Sequence, residues 1–160
     1  LVRPNGSIVE LAQFPERPSL TDPSVRIRAV PTTVARGPDG AFYVGELTGD
    51  PFFPGEARVW RVVPGQPASI HAQGFTTIID LAFDEQGRLL VLQTSNDPFN
   101  TEMDGALIRV EPDGQRTVLA SAGLDNPGGL VVAGNGVYYI TTRIASGGGV
   151  GQLLRLQITG

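Results

Sequence analysis

PTTVARGPDGAFYVGELTGDPFFPGEARVWRVVPG, residues 31–65, is the stretch that decides the fold of this chain. Asp39-Gly40 separates two apolar-leaning runs, and Asp-Gly favours a tight hairpin because Gly adopts positive φ without steric cost. The runs around it are rich in aromatic and β-branched residues, which favours strands. The predicted strands are residues 33–36, 41–47, 57–63 and, more weakly, 69–73. This stretch therefore predicts a meander of four short strands.

The same plan returns twice along the chain. VARGPDGAFYV at residues 34–44 matches LAFDEQGRLLV at 81–91 and LVVAGNGVYYI at 130–140. The turn glycines of these matches are spaced by 47 and 49 residues, and they are Gly40, Gly87 and Gly136. A four-stranded unit of about 40–50 residues is typical of a β-propeller blade, which stacks on its neighbours to bury its faces. We therefore expect an all-β fold of about three such blades.

The units divide the chain into one partial propeller domain. We expect residues 1–24 to form the outer strands of a preceding blade and a connector, with strands up to residue 14. Blades follow at residues 25–75, 76–124 and 125–160, the last without a fourth strand. Because closed propellers need about four blades or more, three readings stay open. The chain is a piece of a longer propeller, an open arc, or a half-ring whose homodimer completes six blades, residues 7–14 of one copy finishing the other's last blade.

The amino-acid composition argues against several classes of function. The net charge of −4 argues against a basic nucleic-acid-binding surface, and no apolar run of about 18 residues predicts a membrane span. The chain has no cysteine and no lysine, which argues against thiolate metal sites and Schiff-base chemistry. Its one histidine, His71, takes a position where the matching units carry leucine, so we assign it a packing or outer-strand role. A histidine-based catalytic triad is therefore not expected.

Candidate binding residues lie at one end of the predicted blades. Because strands alternate in direction, the long loops after the second strands share that end with the starts of the first strands. Long loops on rigid strands often carry binding sites. The candidates are Glu46, Gln93 and Thr142 at matching positions, Asp80 at the start of its strand, and Asn96 and Arg143 in the loops. The structural alternative is that Glu46 and Asp80 cap backbone donors or pair with an arginine such as Arg36 or Arg143.

Two other patterns are weaker candidates. Asn100, Glu102 and Asp104 alternate before Gly105, with Glu111 beyond, which fits the spacing of a calcium loop but lacks flanking helices. We interpret this segment as a solvated acidic loop. The glycine run at residues 147–149 lacks the Gly-Lys-Ser/Thr ending of a phosphate loop. Arginines recur at one register of the third strands, which indicates a structural role, and they are Arg61, Arg109 and Arg155.

The segment at residues 31–62, together with FTTIIDLAFDEQGRLLVL and GALIRVEPDGQRTVLASAGL, resembles the ScyD family of secreted bacterial propellers. The resemblance covers most of the chain from about residue 25. It implies a six-bladed propeller related in shape to NHL-repeat and gluconolactonase-like proteins, in the extracellular or periplasmic space. A glutamate would be expected where this chain has Gln93, so the chain departs from the family pattern there.

Two functions follow from these observations. The leading hypothesis is a non-catalytic propeller of ScyD type that binds a small molecule or protein, or acts as a scaffold, without a cofactor. The alternative is a metal-dependent, lactonase-like hydrolase with an oxygen-bound divalent cation such as Ca²⁺, which the gluconolactonase-like relatives suggest. Glu46 and Asp80 would then be the first ligands, with Gln93 or Asn96 assisting.

Overall fold

The computed structural model describes residues 6–98, 104–145 and 150–158, and β-strands make up all of their regular structure. No helix long and apolar enough to cross a membrane occurs in these parts of the chain. The strands are β1 (Arg17–Pro18), β2 (Arg26–Ile27), β3 (Ala29–Arg36), β4 (Phe42–Thr48), β5 (Ala57–Val62), β6 (Ser69–Phe75), β7 (Ile78–Phe83), β8 (Leu89–Gln93), β9 (Ala106–Val110), β10 (Arg116–Ala120), β11 (Gly129–Gly134), β12 (Val137–Thr142) and β13 (Gln152–Gln157). The expectation of an all-β fold is confirmed.

Each of the three larger sheets is an antiparallel meander, in which consecutive strands are neighbours. The first sheet has the order β3-β4-β5-β6, the second β7-β8-β9-β10 and the third β11-β12-β13. β1 and β2 form a separate two-stranded sheet ahead of them. The strand bounds expected for residues 31–75 agree with the first sheet to within a few residues at each end.

Glycine occupies the same corner of each meander. The turn between the first two strands of a sheet contains Gly40, Gly87 or Gly136, whose φ angles are 80°, 76° and 70°. These left-handed conformations are costly for residues with a Cβ, which explains why the motif ends in glycine. In the first two turns the hairpin closes with the amide of the glycine donating to the carbonyl of Gly37 or Asp84 at 2.9 Å.

The second sheet is buried on both of its faces. Val91 and Ile108 pack with residues of the first sheet in one apolar cluster. Leu90 and Leu107, their neighbours along the strands, pack with the third sheet in another cluster. Because successive side chains of a strand point to opposite faces, one short strand supplies both cores. This explains why LLVL and ALI are continuous apolar runs rather than alternating ones.

The sheets lie closest together at their first strands. β7 packs beside β3 and β4 on one side and beside β11 on the other. Towards the outer strands the sheets separate, and a cleft lined by His71 and Phe83 opens between the first and second sheets. A matching cleft lined by Arg109 and Tyr138 opens between the second and third sheets. The sheets therefore diverge outward from their first strands.

Two expectations about strand residues are confirmed. His71 lies in β6, the outer strand, with its ring edge-on to Tyr43 and 4.8 Å between the ring centroids. Burial lowers the pKa of His71, and the charge of Arg61 lowers it further. Arg61 and Arg109 form ion pairs with Asp39 (2.7 Å) and Glu111 (2.6 Å), as expected for a structural role.

Of the outer strands expected up to residue 14, residues 1–5 lie outside the described residues, and the part from residue 9 onward is not a strand. Residues 9–16 have no strand in the structure, and they lie on the face of the first sheet instead. Phe14 contacts Trp60 there, with 5.4 Å between the ring centroids. A strand needs the edge of another strand for its hydrogen bonds, and the first sheet offers this segment only a face. The residues after it, expected to be an irregular connector, include the short strand β1.

Candidate functional site

The loops after the second strands leave the same end of the sheets, which we call the long-loop end. They span residues 49–56, 94–105 and 143–151, and each follows the second strand of its sheet. Glu46, Gln93 and Thr142 lie at or near the ends of these strands and are 1%, 6% and 2% exposed. Their expected equivalence is therefore seen in the structure. Each of them points into a packed face rather than into an open loop.

Glu46 belongs to a buried ion network on the outer face of the first sheet. Its Oε2 accepts a hydrogen bond from Trp60 Nε1 at 2.7 Å, and its Oε1 lies 3.5 Å from Arg17 Nη2. Burial raises the pKa of Glu46, although the bonds from Trp60 and Arg17 oppose this effect. The structural alternative for Glu46 includes an ion pair with an arginine, and Glu46 does form one. The partner is Arg17 of β1 rather than Arg36 or Arg143.

Glu56 is the second carboxylate of this network. Arg17 Nη1 forms an ion pair with its Oε2 at 2.7 Å, and the Arg17 side chain also donates to the Glu56 carbonyl. Glu56 Oε1 accepts from Ser19 Oγ at 2.5 Å and from the Leu20 amide at 2.7 Å. Burial alone would raise the pKa of Glu56, but the bonds from Ser19, Arg17 and Leu20 outweigh it and lower the pKa.

Asp80 joins the first strands of all three sheets. Its Oδ1 accepts from Thr33 Oγ1 of β3 and from its neighbour's amide, that of Leu81, both at 2.8 Å. Its Oδ2 accepts from the Leu130 amide of β11 at 2.8 Å. The structural alternative for Asp80, a cap on backbone donors, is confirmed. The carboxylate satisfies backbone groups where the sheets come closest.

Replacing Asp80 by asparagine is expected to lower the free energy of unfolding by about 1–3 kcal/mol, because asparagine has a single acceptor oxygen and its amide nitrogen cannot accept the other inter-sheet hydrogen bond. Asp113→Asn is the matched control: Asp113 is exposed in a turn and accepts a hydrogen bond from the Gln115 amide, which water can replace. That change is expected to cost under about 1 kcal/mol. Urea denaturation measures both values. Equal losses for the two variants would contradict the bridging role of Asp80.

The other candidate residues form separate small networks. Gln93 Oε1 accepts from the Thr76 amide at 2.9 Å, and its Nε2 donates to Asn96 Oδ1 at 2.9 Å. Thr142 Oγ1 is buried and has no hydrogen-bond partner among the residues that the structure describes. Arg143 pairs with Asp125 at 3.2 Å. The structure thus brings Gln93 and Asn96 together, while Glu46 and Asp80 bond to different partners.

The residues expected to hold a cation do not fit one. Glu46 is engaged by Arg17 and Trp60, and both oxygens of Asp80 accept hydrogen bonds from protein donors. Within the described ranges, no group of three His, Cys, Asp or Glu side chains is arranged to hold a metal ion. Of the calcium-loop candidates, Asn100 and Glu102 lie outside the described residues, as does the glycine run at 147–149. Asp104 pairs by a backbone bridge with Asp125.

Sequence reasoning missed most of the buried ion network. Arg17 and Ser19 lie in a segment interpreted as a surface connector, and nothing local marks them as buried. A signal did exist for Arg58, because it is two residues from Trp60 in a predicted strand. Strand alternation places the two side chains on one face, so an arginine beside a buried tryptophan predicts a buried charge.

Comparisons with known proteins assign no function to the chain, so the function has to be inferred from this geometry. No protein-family model matches the chain, and no curated protein matches it. Three described features then bear on function: a second sheet that is buried on both faces, a long-loop end with polar side chains, and a buried ion network beside it. All three lie on elements fixed by the sheets.

Proposed function

We propose that this chain forms consecutive blades of a β-propeller that serves as a binding or scaffold module rather than an enzyme. The ligand face is the long-loop end. By its resemblance to the ScyD family, the protein acts in the extracellular or periplasmic space on a small-molecule or protein partner. In this proposal the meander of four strands is the blade, and β3, β7 and β11 are the innermost strands.

The observation that carries the proposal is the packing of the second sheet. It is covered on both faces by similar sheets, and the three sheets are closest at their first strands. In a two-sheet sandwich each sheet buries only one face, and the two sheets stay at a roughly constant separation. Blades around a common axis show both features of this chain. A blade between two others is covered on both faces, and the blades converge at the axis and diverge at the rim.

The two clefts between the sheets support the same arrangement. The first is lined by Asp39, Phe83 and Leu89, and the second by their counterparts in the next unit, Gln86, Val132 and Tyr138. Since both clefts recur at one place in the unit, they are consequences of outward divergence. In this proposal the clefts are therefore not ligand sites. The long-loop end carries the variable polar groups instead.

A crystal structure of the protein tests the architecture. We expect the sheets to be arranged radially, with β3, β7 and β11 lining a common axis. A flat stack of sheets, or a barrel in which the three sheets join edge to edge, would overturn the propeller assignment.

Binding at the long-loop end is tested by mapping a ligand found in a thermal-shift screen of small molecules and peptides. Combined Asn96→Ala and Arg143→Ala changes are expected to weaken its affinity about tenfold or more, which is about 1.4 kcal/mol. Combined Gln86→Ala and Asp113→Ala changes, in the short turns at the opposite end, serve as the matched control. A loss of ligand affinity only in the control variant would refute this function. Turnover of a lactone by the unchanged protein would also refute it.

A further inference from the structure

The third sheet ends in a strand with a regular, open edge. Among the residues that the structure describes, β13 pairs with β12 on one side only, whereas the third strands of the other two sheets, β5 and β9, each pair with a fourth strand. The six pairs between β12 and β13 run without a register shift. The fourth strands β6 and β10 both pair across a shift of register, and such bulges blunt an exposed sheet edge. The regular edge of β13 is therefore suited to a further strand.

Residues 8–12 have the complementary deficiency, because their sequence predicts a strand but they have no sheet edge to pair with. VRPNGSIVELA at residues 2–12 matches VEPDGQRTVLA at 110–120, so residues 8–12 correspond to β10. The two segments share a turn glycine, since Gly6 has a φ of 78° and Gly114 a φ of 86°. Residue 8 makes only an isolated bridge, and the rest of the segment belongs to no strand. Within the described residues, the segment is a fourth strand without a third strand beside it.

The segment already lies where the fourth strand of a preceding sheet belongs. The groove between residues 9–12 and the first sheet is lined by Leu11 and Val62. The cleft between the first and second sheets is lined by their counterparts in the matching units, His71 and Val110. The segment is therefore placed against the first sheet as β6 is placed against the second.

We propose that residues 8–12 of one copy of this chain pair, as a fourth strand, with the open edge of β13 in a second copy. The pairing of β10 with β9 supplies the register, in which Thr117 lies opposite Arg109. Counted along the matching motifs, three pairs form between the copies: Ile8 with Leu156, Val9 with Arg155 and Glu10 with Leu154. This inference rests on the proposed function, since it names a partner for the blades.

This pairing also stacks the first sheet of one copy on the third sheet of the other, because residues 9–12 lie on the face of their own first sheet. The two faces that meet are apolar and open. Val34 on the first sheet is 64% exposed, and Leu153 on the third is 67% exposed. Their counterparts in the second sheet, Leu81 and Leu107, are 5% and 0% exposed because neighbouring sheets cover them. The interface between copies therefore continues the stacking that the three sheets show within one chain.

Cysteine variants test the register directly, because the chain has no cysteine of its own. Val9→Cys and Arg155→Cys are made as separate variants, then mixed and oxidised. Residues opposite each other in antiparallel strands have Cα atoms about 4.5–5.5 Å apart, a distance that a disulfide spans. We expect a mixed disulfide-linked dimer on non-reducing gel electrophoresis. Val9→Cys mixed with Gln115→Cys, at an exposed turn position, is the matched control and should give no such dimer beyond random collision.

Proline variants test the strand pairing itself. Val9→Pro combined with Glu10→Pro removes two backbone donors from the segment, and within one copy these residues have no strand to lose. Sedimentation equilibrium is expected to show self-association of the unchanged chain at about 10 μM, as a dimer where both ends pair to close one ring. The double variant should raise the dissociation constant at least about tenfold. Gln13→Pro, just outside the paired residues, is the control and should leave it unchanged.

Three results would each overturn the proposal: a monomer at every accessible concentration, equal cross-linking of Val9→Cys with Gln115→Cys and with Arg155→Cys, or an unchanged dissociation constant in the double proline variant. If that variant loses its β-structure, as judged by circular dichroism, the cross-linking mixtures decide. A monomer whose sheets are radial in the crystal refutes this inference alone, whereas a flat stack of sheets refutes the proposed function. The two proposals therefore fail separately.

Discussion

Replacing Arg17 by methionine is expected to lower the free energy of unfolding by about 3–5 kcal/mol, as measured by urea denaturation at neutral pH. Methionine keeps much of the apolar stem of the side chain but leaves Glu46 and Glu56 buried without their shared cation. Both carboxylates are 1% exposed, so water cannot replace the lost partner. The effect should be large because removal of the arginine leaves buried carboxylates without a counter-charge. This cost arises even if the intact network contributes little to the free energy of unfolding.

Arg26→Met is the matched control for this change. Arg26 pairs with Glu16 at 3.1 Å, but both side chains are about half exposed. Exposed ion pairs contribute under about 1 kcal/mol, so the control should be nearly neutral. Adding Glu56→Gln to Arg17→Met should recover part of the loss, since the double variant buries one uncompensated charge fewer. A loss below about 1 kcal/mol for Arg17→Met would contradict the network.

The deficit of Arg17→Met should also depend on pH. The bonds that lower the pKa of Glu56 give the unchanged protein stability that is present above the usual range of glutamate titration. This contribution is lost as the pH falls through the lowered pKa. In the variant the part of this contribution that Arg17 supplies is already absent, while the bonds from Ser19 and Leu20 remain. Protonation of Glu46, whose pKa burial raises, relieves the buried charge that the substitution leaves. The difference between the two proteins should therefore be largest at neutral pH and shrink on acidification.

The second large effect is expected for Leu90→Ala, at about 2–5 kcal/mol. Leu90 is fully buried between the second and third sheets, in contact with the cluster that contains Leu107 and Ile140. Truncation leaves a cavity in a short strand that cannot move without disturbing the core on its other face. Hydrogen exchange should show the largest loss of protection in β11–β13, because these strands depend on that interface.

Leu153→Ala provides the comparison for Leu90→Ala. Leu153 lies in β13 but is 67% exposed, so the same truncation should change stability by no more than about 0.5 kcal/mol. Chemical denaturation measures both variants. If Leu90→Ala were as mild as Leu153→Ala, the third sheet would not be held by stacking on the second, and the proposed blade arrangement would lose its main support.

The candidate site was only partly predictable. The equivalence of Glu46, Gln93 and Thr142 follows from counting along matching motifs, and so does their placement at the ends of second strands. The hydrogen-bond and ion-pair partners of the site residues cannot be predicted from such motifs. The carboxylate of Asp80 bonds to residues 47 and 50 positions away, and Glu46 bonds to an arginine 29 positions away. No local pattern encodes such pairs, because they form only where separate sheets meet.

The amino-acid order alone determined the strands, their turns and their meander connections. These features depend on interactions between near neighbours, such as Asp-Gly turns and the packing of adjacent β-branched side chains. Only the tertiary structure decided which charges are buried and which of them are paired. Residues 9–14 illustrate the limit: the sequence predicts a strand there, but strand formation requires an edge, and the fold gives these residues a face. Arg58 is the opposite case: its spacing from Trp60 indicates a buried side chain, but only the fold decided that, among the described residues, Arg17 forms the ion pairs with both glutamates.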